Sequence, residues 1–211
     1  MVVFMFKKNM LRFAIFLVFL GIVIWGNGCN CPQNTKKLQS SFDSFTNDIF
    51  VENVKSDTLS LNYTLENPEN YGIERGKPTL GEYGANAMKE ALAVSENHLN
   101  RLISFDYNLL NRKQQLTYDI LKNNLKQDLK MGKYLYYSES LGPTTGFQAQ
   151  LPILLAEYNF YKKSDINRYI SLLSNVDDYF AKIEQFEREK SRKGLFMDSS
   201  VAESIIKQCE S

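Results

Sequence analysis

The chain has 211 residues, with 25 Lys and Arg against 24 Asp and Glu and a net charge of +1. That length supports one sizeable core with at most a satellite lobe, and 14 Phe with 12 Tyr supply enough apolar surface to exclude global disorder. The balanced charge excludes a basic field that would hold nucleic acid by its phosphates.

The first predicted element is not part of the core. "MVVFMFKKNMLRFAIFLVFLGIVIWGNGCNC" places Lys7, Lys8 and Arg12 ahead of an uncharged run from Phe13 to Trp25. As a helix that run spans about 20 Å, short of the roughly 30 Å hydrocarbon core. A positive region, a short apolar region and then small residues form an export signal, so residues 1–31 read as a signal peptide or membrane anchor. Gly28 suits the position before a lipidated cysteine, which makes Cys29 the candidate lipidation site. Gly26 stands where such sites usually carry Leu. The competing reading is an uncleaved signal anchor, lengthened by Phe4 and Phe6. Both put the chain at the cell membrane, facing the extracytoplasmic side. Cys31 and Cys209 complete the cysteines, and no disulfide framework is visible.

Residues 32–41, "PQNTKKLQSS", read as a polar tether, and 42–211 as a helical domain. Its first helix follows Ser41, with Phe42, Phe45, Ile49 and Phe50 at helical spacing. Gly and Pro then punctuate residues 56–84 so densely that only short helical or extended pieces fit. Asn62-Tyr63-Thr64 has the form of a glycosylation sequon, but a bacterial-looking signal deprives it of meaning. A second helix is predicted over 86–103. A third covers 112–129, with Leu116, Ile120, Leu121, Leu125 and Leu129 on one face. "KYLYYSES" alternates weakly, as a short strand would. The strongest amphipathic pattern runs from Asp165 to Gly194, divisible at Ser174-Asn175. A terminal helix follows, with Ser199 or Ser200 as its N-cap and Val201, Ile205 and Cys209 recurring every four residues.

Recognisable catalytic chemistry is absent from the pattern. His98 is the single histidine and has no ligand spacing around it; no H-E-x-x-H, nucleophile elbow, phosphate loop or dinucleotide fingerprint occurs. His98 therefore reads as an ordinary helix residue, with no catalytic or metal-ligating residue assigned.

Residues 140–161, "SLGPTTGFQAQLPILLAEYNFY", depart from their surroundings. Charge vanishes apart from Glu157, and Gly142, Pro143, Gly146 and Pro152 interrupt the run. In the favoured structural reading, Pro143 and Gly146 make a turn, "FQAQL" crosses the domain as an extended piece, and Pro152 opens a short apolar helix. In the functional reading, Gly146, Phe147, Gln148, Ala149 and Gln150 are an exposed backbone edge for an extended peptide.

Several blocks also carry a family resemblance: "LGPTTGFQAQLPILLAEYNFY", "DINRYISLLSNVDDYF", "EREKSRKGLFMDSSV", "LLNRKQQLTYDILKNNL" and "SDTLSLNYTLENPENYGI". In this order and spacing, from about Phe42 to Ser211, they resemble the N-terminal part of the bacterial domain-of-unknown-function family eight-eight-five. The resemblance implies a mainly α, exported or membrane-attached protein, longer than this chain. It also implies a distal half like that of H-E-x-x-H zinc metallopeptidases. No position here matches those zinc motifs, so zinc is expected in full-length relatives and no cofactor in this chain. The resulting expectation is a membrane-attached N-terminal fragment, not catalytic alone, which walls a substrate cleft near Gly146–Gln150. Its implied partner is the C-terminal half. The alternative is a non-enzymatic helical surface lipoprotein that binds a peptide or another partner.

Overall fold

A computed structural model describes residues 32–210, which form α-helices and short 3-10 helices with no strand among them. The mainly α expectation holds. The signal, Cys29 and Cys31 lie outside the described residues.

Helix α1 (Pro32–Lys55) already includes the stretch read as a tether. Residues 32–41 are polar but helical, and Leu38 packs on the first core cluster. Phe42 and Phe45 are almost wholly buried and Ile49 lies beside them, each such side chain contributing about 1.5–3 kcal/mol of apolar transfer. Phe50, predicted for the same face, falls about 100° away and is exposed. After α2 (Thr58–Thr64), the Gly/Pro-rich segment holds one 3-10 turn, Pro68–Tyr71, ended by Gly72 at φ 69°.

Helices α3 (Ala85–Ile103) and α4 (Arg112–Met131) pack against α1, joined by the 3-10 turn Tyr107–Leu109. Phe42, Phe45, Leu102, Leu110, Tyr118 and Leu125 form their shared core. A capping box starts α4: Asn111 and Gln114 exchange side-chain and backbone bonds at 3.1 Å in both directions. The α4 face differs from the predicted one. Gln114, Tyr118 and Leu125 are buried with Leu121 beside them, whereas Leu116 and Ile120 are exposed. Gln114 joins the buried row because its amide donates to the Gln39 carbonyl and the Asp43 carboxylate.

The predicted strand at "KYLYYSES" is instead a 3-10 helix, Gly132–Tyr137, continuing from α4. Tyr136 stacks on Phe186 with ring centroids 5.7 Å apart, while Tyr134 and Tyr137 meet each other outside. That three-residue repeat suits 3-10 geometry rather than alternation.

The second core joins α2, α5 (Phe147–Ala156), α6 (Ser164–Leu173) and α7 (Val176–Arg192) around Leu59, Leu151, Tyr158, Leu172, Tyr179 and Ile183. The predicted break at Ser174-Asn175 falls between α6 and α7, and Gly194 at φ 71° follows α7. Asp198, not Ser199 or Ser200, caps α8 (Ser199–Glu210): its carboxylate accepts from the Ser200 N–H at 2.9 Å. An Asp carboxylate accepts well there, and those bonds to Ser200 hold its carboxyl below the usual range.

Candidate functional site

The 140–146 turn and α5 determine what the predicted cleft edge can do. The Phe147 N–H bonds the Ser140 carbonyl at 2.9 Å, and the Gly146 N–H bonds the Gly142 carbonyl at 3.2 Å. The Gly146 carbonyl accepts from Ala149 and Gln150, each at 3.0 Å. Helix α5 therefore starts at Phe147, and "FQAQL" is not extended. Its backbone is helical, so Gly146–Gln150 present no strand edge to a peptide. Pro152 is an interior residue of α5 rather than its opening. It is tolerated because it lies on the exposed side, where the missing N–H costs one helical bond without a buried clash.

Gly146 is required by close approach. An added Cβ would stand 2.2 Å from the Gly142 nitrogen and 2.8 Å from its oxygen. Gln148 Nε2 bonds the Gly142 carbonyl at 2.6 Å and Gln208 Oε1 on α8 at 2.9 Å, while Gln208 Nε2 bonds the Pro143 carbonyl at 3.1 Å. The turn is thus fastened to the terminal helix.

Two residues of the Gly146–Gln150 segment, Phe147 and Gln150, line a cavity with their side chains. A cavity of about 500 Å³ lies between α2 and α5, walled by Leu59, Ser60 and Tyr63 on one side and by Phe147, Gln150 and Leu154 on the other, with Tyr179 also lining it. Gly146, Gln148 and Ala149 are not among its lining residues. Asp57 at its rim caps α2, accepting from the Ser60 N–H at 2.8 Å and the Ser60 hydroxyl at 2.7 Å. The Tyr63 hydroxyl donates to the Leu154 carbonyl, and Gln150 Nε2 bonds the Thr144 carbonyl at 3.0 Å. Burial, then the Tyr83 hydroxyl and Asp57, push Tyr179 up to about 12; burial chiefly, then Glu157, raises Tyr63. Both phenols stay neutral near pH 7 and serve as hydrogen-bonding groups. An apolar wall with a few polar groups is suited to binding.

Two structural clasps connect distant segments around this cleft. Asn62 is buried, and its amide exchanges two 2.9 Å bonds with the Asn159 backbone. The sequon asparagine is therefore a fastener in which no glycan fits. Asp165, fully buried, accepts from the Tyr161 and Lys162 N–H groups at 3.0 Å and from Arg75 at 3.3 Å. Arg75 also bonds the Glu66 carbonyl and Glu69. No sequence signal marked either clasp, because their partners lie ninety residues or more apart on unrelated elements.

A larger hollow, about 680 Å³, runs along α7 between Phe180, Ile183, Glu187 and Phe196. Several charges along it are engaged locally: Arg188 with Glu184, and Lys190 with Glu187 at 3.3 Å and the Ser138 carbonyl at 2.8 Å. His98 is buried between α1 and α3, with Nε2 3.0 Å from Glu52 and its ring edge-on to Phe45. Among the described residues no group of three His, Cys, Asp or Glu could hold a metal ion. The donor set does not fit catalytic zinc, which takes three protein ligands.

A family model described as "Bacterial protein of unknown function (DUF885)" matches residues 68–211. It begins at the Pro68 turn, so α1 and α2 lie outside the match, a narrower span than the resemblance from Phe42. No curated protein and no solved structure matches the chain. With the match covering α3 to α8, the chain belongs to the DUF885 family of bacterial proteins of unknown function.

Proposed function

We propose that this chain is the helical, cleft-walling part of an exported, membrane-attached, zinc-metallopeptidase-like protein, and that it binds peptide without catalysing its hydrolysis. The observation that carries this reading is the 500 Å³ cleft, with Phe147 and Gln150 in its wall and its one carboxylate, Asp57, committed to capping α2 through Ser60. The family assignment is compatible with it, and catalytic zinc would require ligands other than the described residues. The second reading, a peptide-binding lipoprotein acting alone, draws support from the same cleft.

Elemental analysis of the purified chain tests the catalytic part: no stoichiometric zinc and no metal-dependent peptidase activity are expected. One zinc per chain, lost together with activity on His98→Ala, would contradict the proposal. For attachment, Cys29→Ser should abolish incorporation of labelled fatty acid and leave the precursor uncleaved. Label retained in that variant eliminates Cys29 as the lipidated residue.

A further inference from the structure

We infer that the end of the bundle where α1 begins is a docking surface for anionic phospholipid headgroups; the inference rests on the membrane attachment proposed above. Residues 1–31 join the domain covalently at Pro32. Any anchor within them therefore makes the first turns of α1 the membrane-proximal end. Helix α4 begins at that same end: Gln39 Nε2 bonds the Leu109 carbonyl at 2.8 Å, and Gln114 Nε2 bonds the Gln39 carbonyl at 3.0 Å. From Pro32 to Gln39 helix α1 rises about 10 Å, so it projects past that contact by two turns.

Lys36 and Lys37 ride on the projecting turns, and Arg112 and Lys113 are the first residues of α4. All four are exposed, and none has an ion-pair partner among the described residues. Both helices also turn their N-terminal, positive dipole ends this way. Three carboxylates stand nearest. Asp43 and Asp119 lie two turns further along α1 and α4, bonded to Gln114 and to the Tyr107 hydroxyl. Asp106 is bonded to the Asn108 N–H, and Asp43, through Gln114, stands beside the first turn of α4, so four cations face three carboxylates already engaged in hydrogen bonds. Cations are thus in excess on the side that faces the bilayer. The projection is about one Debye length at 0.1 M salt, within which juxtamembrane Lys and Arg are drawn to anionic lipid.

The test uses the full chain in vesicles of phosphatidylcholine alone and of phosphatidylcholine with phosphatidylglycerol, reading amide hydrogen exchange over 33–40 and 108–117. On the anionic vesicles both segments should exchange at least about threefold more slowly than on neutral ones. The protection should vanish at about 0.5 M salt and in the K36Q/K37Q/R112Q/K113Q variant, whose fold is checked by circular dichroism. Vesicle-bound protein with unchanged exchange overturns the docking surface and leaves the anchor intact. Protection that persists in the variant also overturns it, and failure to associate with any vesicle overturns the anchor with it.

Discussion

Gly146 shows how a single residue sets the shape of the cleft. The Gly142 backbone occupies the space a side chain would need, and backbone cannot swing away as a flexible side chain can. Gly146→Ala should therefore destabilise the fold by about 1–3 kcal/mol, measured by urea unfolding. Gly142→Ala, whose Cβ would meet its nearest atom at 3.7 Å, should cost under about 1 kcal/mol. Equal losses for the two would refute the close-approach account. Asp165 makes a different demand. Its removal leaves Arg75 and two N–H groups facing a buried void, so Asp165→Ala should cost about 3–5 kcal/mol. The exposed end of that network is Glu69, held at about 2 by its own backbone N–H first, then by Lys162 and Arg75. A depressed carboxyl contributes stability that is complete above its ordinary value of 4.5 and lost as pH falls through about 2. Carboxyl NMR should show Glu69 ionised at pH 3, and a midpoint near 4.5 would contradict the clasp. Neither position was legible beforehand: glycine spacing announces a turn, not what touches it, and an Asp at a helix start reads as a cap rather than as the mate of Arg75.

At the scale of elements, helix existence was written in the periodicity, but the choice of buried face was not. The boundaries of α3 and α4 and the break between α6 and α7 follow from spacing, with a side-chain cap among them at the start of α4. Leu116 and Ile120, by contrast, turn outward because polar Gln114 takes the inward position through its bonds to α1. The apolar stripe of α6 divides similarly: Ile166 and Ile170 are exposed while Asp165 and Leu172 are buried. Helix α8 offers a clean contrast of this kind. Ile205 is 7% exposed and Ile206 57%, so Ile205→Ala should cost about 2–5 kcal/mol and Ile206→Ala under about 0.5 kcal/mol. Its tie to Gln148 and Pro143 further predicts slow amide exchange over α8; a freely exchanging helix would show that the tie does not hold it. In α5, Pro152→Ala restores the N–H that the Gln148 carbonyl would accept. The exposed site should gain about 1–3 kcal/mol in thermal unfolding. A loss there would mean that the proline ring, not its missing bond, matters to the helix.

For the whole molecule, α1 belongs to the first helical core and the Gly/Pro-rich segment to the second, a small cluster of Val54, Leu61 and Ile73 links α1 to that segment, and the cleft opens between the pieces of the second core. Sequence reasoning read Gly146–Gln150 as an extended edge, whereas the segment opens a helix and only Phe147 and Gln150 of it line the cavity. The cause is local. Pro152 suggested a helix start, whereas the Ser140 and Gly142 carbonyls draw the turn closed and start the helix at Phe147. The wall is consequently made of side chains, and recognition there should depend on a bulky apolar group entering between Tyr63 and Phe147 rather than on backbone pairing. Photo-crosslinking tests that central claim most directly. Extended hexapeptides with a central benzoylphenylalanine would be irradiated with the full chain and the adducts mapped by mass spectrometry. The account predicts adducts within 59–63 and 147–154, competed by peptides with a central Phe or Leu and not by those with Gly. Adducts concentrated on the α3–α4 face, or no saturable labelling, would contradict it.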